Sequence, residues 1–125
     1  MPRQSAVVTD AELSVLDFLW SQSSASVRDI AQAVYQKNTA AYHATVNSLL
    51  DQLEAKGYVH RDRSNFAHLF SAKVDRSVVV GKQIQQIADR HFDGALSPMF
   101  LALVENMKLK PKDLKAIRRI VDDID

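Results

Sequence analysis

The chain has 125 residues, 46% hydrophobic and 25% charged, with no cysteine and a formal net charge of +1. That length suits one compact domain or two small lobes, excludes a multidomain enzyme, and buries roughly two-thirds of its unfolded surface without covalent staples. Disulfides and thiolate metal sites are excluded because there are no thiols to form them.

Thr9-Asp10-Ala11-Glu12 has the form of a capping box, in which the Thr hydroxyl accepts from the amide of Glu12 and the Glu side chain reaches back. Leu13, Leu16 and Trp20 follow at helical spacing, widened by Val15 and Leu19. Ser26 is placed to cap a second helix carrying Val27, Ile30, Ala31 and Val34. Thr39 or Asn38 can cap a third, whose Val46, Leu49, Leu50 and Leu53 repeat the spacing before Gly57 supplies a left-handed stop.

The texture then changes. Tyr58–Asp62 and Phe66–Ser71 are short and β-prone, and Arg63-Ser64-Asn65 joins them, which predicts a β-hairpin. Helical signals resume at Asp75 and run to about Phe92, with Gly94 beyond the end. Ser97-Pro98 reads as an N-cap followed by an N1 proline, and Pro111 opens a final helix bearing Leu114, Ile117, Val121 and Ile124.

Three short helices followed by a two-stranded ribbon is the order of a winged helix-turn-helix. The expected fold is therefore mostly α: an N-terminal winged helix-turn-helix with a small β-hairpin wing over residues 1–73, then a three-helix region over residues 74–125. In such a fold the third helix enters the major groove. Here His43, Asn47, Ser48, Asp51 and Gln52 fall off its leucine stripe, and His, Asn, Ser and Gln carry donors and acceptors that base edges can use. Thr45 lies beside them. Arg61, Arg63 and Asn65 on the ribbon, with Lys56 and Arg28, are candidates for phosphate or minor-groove contacts.

The same pattern suits a plain solvated surface helix, and charge does not decide between the two. Through Lys73 there are seven basic and seven acidic residues, so the first lobe is neutral. Phosphate binding then needs its cations gathered on one face.

The tail carries many apolar positions for some fifty residues: Val80, Ile84, Ile87, Phe100, Leu103, Val104, Met107, Leu114, Ile117 and Ile124. Two copies paired through these faces would cover them, at ~25 cal/mol per Å² removed from water. The alternative is that the tail folds back on the first lobe.

The four histidines form no two-His helix pair at i, i+4, and neither a phosphate-binding glycine loop nor a nucleophile elbow is present. No enzyme activity, metal or cofactor is expected. Trp20 and the phenylalanines read as core. No run approaches the ~18 apolar residues of a membrane span, and Met1–Asp10 lacks the apolar centre of a secretory signal. A cytoplasmic protein without membrane insertion is the default expectation.

Thr9-Asp-Ala-Glu-Leu-Ser-Val-Leu-Asp-Phe-Leu-Trp20 resembles the opening helix of the penicillinase-repressor family (the BlaI/MecI/CopY repressors). Val27-Arg-Asp-Ile30 is similar to its second helix. Thr45-Val-Asn-Ser-Leu-Leu-Asp-Gln-Leu-Glu-Ala-Lys-Gly57 is similar to its third helix and exit, and Phe92-Asp-Gly94 with Leu103-Val-Glu105 to its tail. The resemblance implies a bacterial homodimeric repressor that binds each half of an inverted-repeat double-stranded DNA operator and is held together by the tail. It also implies a membrane sensor-protease pathway in the β-lactam branch. Where those repressors are cleaved at an Asn-Phe pair, this chain has Ala102-Leu103, so that site does not carry over. Basic residues common in the family's third helix are replaced by Ala44, Asn47 and Gln52. Copper sensing through C-terminal cysteines is excluded on chemistry. A winged-helix module for protein–protein contact, without sequence-specific DNA binding, is the alternative.

Overall fold

The computed structural model describes residues 7–106 and 109–124, the last without its side chain. Its elements run α1 (Asp10–Trp20), α2 (Val27–Tyr35), α3 (Ala40–Ala55), β1 (Val59–Asp62), β2 (Leu69–Ala72), α4 (Arg76–His91), α5 (Leu96–Asn106) and α6 (Pro111–Ile124). The architecture is mostly helical, with one antiparallel hairpin.

Local chemistry sets the helix starts. The Thr9 hydroxyl accepts from the Glu12 amide at 3.2 Å, and Glu12 Oε1 accepts from the Thr9 amide at 2.8 Å. Ser26 caps α2 in the same way, with Asp29 supplying the reciprocal carboxylate at 3.1 Å. Each cap satisfies amides that the first helical turn leaves without partners. Thr39, rather than Asn38, caps α3 by accepting from the Tyr42 amide at 3.3 Å. After α3, Gly57 at φ 82° reverses the chain. A residue with a Cβ is strained there.

These three helices and the hairpin enclose one core. Val15, Leu16 and Leu19 of α1 pack with Ile30 and Ala31 of α2, Val46, Leu50 and Leu53 of α3, and Phe70 of β2. β1 and β2 pair in the register Val59↔Ala72 through Asp62↔Leu69. Ala25 joins as an isolated bridge, exchanging backbone hydrogen bonds of 2.9 and 2.8 Å with Phe70. That bridge anchors the α1–α2 connection to the ribbon.

The hairpin differs from the sequence expectation in its second arm. Phe66 does not begin a strand; residues 63–68 form the loop and β2 starts at Leu69. The cause lies in Asp62, whose Oδ1 accepts from the amide of Ser64 at 2.9 Å and its hydroxyl at 2.6 Å. This Asx-type turn bends the chain straight after β1. Phe66 is consequently fully exposed, which corrects its assignment to the core. Phe70 and Trp20 do pack with the core, Trp20 half-buried with its indole N–H donating to the Val74 carbonyl at 2.8 Å.

The tail also starts differently at one point. α5 begins at Leu96, so Ser97 and Pro98 lie inside its first turn rather than at the cap and N1. Proline is tolerated there because the amides of a first turn have no intrahelical acceptor. Pro111 opens α6 as its spacing predicts.

The chain divides into two compact units, residues 1–84 and 85–125. The sequence break near residues 73–75 marks the start of α4. Its early turns belong to the first unit, where Val79 is buried in the core.

Candidate nucleic-acid interface

The leucine stripe of α3 fixes which side chains are left to solvent. Val46, Leu49, Leu50 and Leu53 are buried, whereas Ala44, Thr45, Asn47, Ser48, Asp51 and Gln52 are exposed. Helical geometry puts Asp51 on the same face as Asn47 and Ser48, four and three residues after them. Asn47, Ser48 and Gln52 use none of their side-chain polar atoms within the described residues, so the amides and hydroxyl are open to a partner. Thr45 hydrogen-bonds back to the Ala41 carbonyl at 3.2 Å.

His43 is half-buried and tethered. Its Nε2 lies 2.9 Å from Asn38 Oδ1, and Asn38 Nδ2 donates to Gln32 Oε1 at 3.0 Å. This relay ties the front of α3 to α2, and the Tyr35 and Tyr42 rings, 5.1 Å apart, join the same two helices. No sequence pattern marks this relay, because Asn38 reads only as a candidate cap.

The cations of the wing are already engaged. Arg61 donates through Nη2 to Asp51 Oδ1 at 2.7 Å, and its Nε lies 3.4 Å from Glu54 Oε1. The guanidinium stacks 4.7 Å from the Phe70 ring centre, and the Arg61 side chain is only 14% exposed. Arg63 reaches Glu54 Oε2 at 3.3 Å. Lys56, proposed for phosphate, places its ammonium 2.7 Å from the fully buried carboxylate of Glu12. Arg28 on α2 is exposed and pairs with no carboxylate among the described residues. Asn65 is exposed in the wing loop next to Phe66.

Two ionisable groups are shifted. The hydrogen bonds from the Ser64 hydroxyl and then its amide hold Asp62 below the usual carboxylate value, with smaller help from the charges of His60 and His68. Burial, and secondarily the charge of Glu12, raises Tyr58. The two wing histidines do not face each other: His60 pairs with Ser71 in the ladder, and His68 lies in the loop. Among the described residues no group of three His, Asp or Glu is placed to hold a metal ion, and no helix is long and apolar enough to cross a membrane.

The tail residues proposed for pairing are mostly at the surface. Ile84, Ile87, Phe100, Leu103 and Val104 are exposed, and Val80 and Ile117 are half-buried. Met107 and the side chain of Ile124 lie outside the described residues. Within the second unit Ile87, Phe92, Met99, Ala102 and Leu103 line an open apolar depression.

The sequence matches the penicillinase repressor family over residues 8–123. It is 22% identical to the penicillinase repressor of Bacillus licheniformis over 116 residues, covering 93% of this chain and 90% of that one. It is 27% identical to the transcriptional regulator BlaI of Mycobacterium tuberculosis over 118 residues, 93% of this chain and 83% of that one. Among solved structures it is similar to the DNA-binding domain of the repressor BlaI, with a TM-score of 0.52 at 22% identity. That likeness covers 62% of this chain and 93% of that domain, and establishes the winged-helix fold.

Proposed function

The chain belongs to the penicillinase repressor family, whose members are DNA-binding regulators rather than enzymes, and we propose that it represses transcription as a homodimer on an inverted-repeat operator. The observation that carries this reading is the exposed polar face of α3, where Asn47 and Ser48 stand free above a buried leucine stripe. In a helix-turn-helix this is the side of the recognition helix that meets base edges. Asn can pair bidentately with adenine in the major groove, and Ser or Thr can bond to any base edge. Arg28 on α2 and Arg63 and Asn65 on the wing, all exposed, are assigned to phosphates, Arg63 by exchanging its solvent-exposed 3.3 Å pair with Glu54; such contacts fix register without reading sequence.

Pairing of two chains is supported by the apolar residues that the tail leaves at its surface. A two-fold dimer doubles the phosphate contacts of a neutral lobe and presents two copies of α3 to two half-sites.

The test is fluorescence anisotropy of the full chain against duplexes spanning the DNA that flanks its own gene, over a salt series. Preference for one duplex with a steep negative log–log salt slope supports the reading. Equal micromolar affinity for every duplex would favour the protein–protein module instead.

A further inference from the structure

We propose that Asp51, held by Arg61, is a specificity-determining residue that selects a cytosine at one position of each half-site. The inference rests on the repressor reading and deepens it.

An acid on the reading face of a recognition helix needs an explanation. Asp51 is 68% exposed and lies one turn beyond Asn47 and Ser48. Facing DNA, a free carboxylate is repelled by phosphates and by most of the base edges in the major groove. Guanine presents N7 and O6 as acceptors and thymine presents O4. Adenine sets its amino donor beside the N7 lone pair, and cytosine alone offers an amino donor without an acceptor of its own next to it. A carboxylate at this place therefore discriminates for cytosine and against the rest.

The structure also shows how the cost of that charge is limited. Arg61 binds one carboxylate oxygen, Oδ1, at 2.7 Å, and Oδ2 has no partner among the described residues. Arg61 is itself fixed, stacked on Phe70 and lying beside Glu54. The guanidinium thus neutralises Asp51 toward the phosphates and sets its orientation before DNA arrives. Arg61 is on this account a positioning residue. The pairing also explains why a basic residue of the wing is turned inward onto α3 rather than out toward solvent.

The experiment is selection from a random-sequence duplex pool by the full-length protein, unmodified and as Asp51→Ala, followed by competition between defined duplexes that differ at the selected pair. The unmodified protein is expected to enrich a half-site with a fixed cytosine. Asp51→Ala should lose preference at that position alone, from about tenfold to less than about twofold, while the other positions stay selected. Arg61→Lys, which keeps the charge but not the planar fork, should weaken the same preference in part. Asp51→Ala changing affinity for all duplexes by one factor with the preference intact would overturn the assignment, leaving the ion pair as structural. Arg61→Lys with the full cytosine preference would overturn the positioning role. An unmodified protein that enriches no sequence would overturn the repressor reading itself, and this assignment with it.

Discussion

Lys56 Nζ lies 2.7 Å from Glu12 Oε1 and 2.9 Å from Oε2, joining the end of α3 to the first turn of α1. Glu12 is the one fully buried charged residue among those described, and it also closes the Thr9 capping box. The Lys56 ammonium donates in addition to the Val7 carbonyl at 3.3 Å. The pair therefore sets where α3 ends relative to α1, inside the first unit.

Breaking it from one side should be costly. Lys56→Met leaves the Glu12 carboxylate buried without its cation, and the expected loss is about 3 kcal/mol in urea unfolding. Glu12→Gln combined with Lys56→Met should recover much of that loss. The log–log salt slope of DNA binding should stay unchanged in Lys56→Met, because the ammonium is turned onto Glu12. A flatter slope would return Lys56 to the phosphate contacts.

The wing turn has a pH signature. Asp62 is held below its ordinary value, so its contribution to stability is complete above the unfolded carboxylate value and is lost as pH falls through the lower folded one. The turn should stay ordered at neutral pH and loosen only in acid, below about pH 4. Ser64→Ala removes the largest cause of the shift and should raise the Asp62 pKa toward normal, as read by carboxyl carbon NMR titration. An unchanged value would disprove the role of the Ser64 hydroxyl.

Base and phosphate contacts should separate in binding assays. Asn47→Ala is expected to relax preference at one position of the half-site. Arg28→Ala should weaken all sequences about equally and reduce the salt slope by about one. Preference lost in Arg28→Ala with its slope intact would contradict the division.

Pairing through the tail is tested by Ile87→Asp and Leu103→Asp. Each places a charge on an exposed apolar surface, so the isolated fold should tolerate it while sedimentation shifts toward monomer and DNA affinity falls. An unmodified protein that is monomeric at micromolar concentration would contradict the dimer.

The first unit was legible because its signals are local. The Thr9 and Ser26 caps, the leucine stripe of α3 and Gly57 each act through neighbours in sequence, and those elements stand where the spacing puts them. Contacts distant in sequence were not legible. Nothing in the pattern pairs Glu12 with Lys56, or turns Arg61 onto Asp51, because both depend on how α1, α3 and β1 come together in space. The second arm of the hairpin was misplaced for a related reason. Phe66 has strand propensity, but the hydrogen bonds of Asp62 to Ser64 start the turn first.

The account depends most on the exposed face of α3 meeting DNA. Amide and side-chain NMR spectra recorded as the full chain is titrated with a duplex from the flank of its own gene test this most directly. The largest shifts are predicted at Asn47, Ser48 and Asp51, including the Asn47 side-chain amide, with a second set at the wing loop over residues 63–68. Shifts that spare α3 while binding saturates would contradict it.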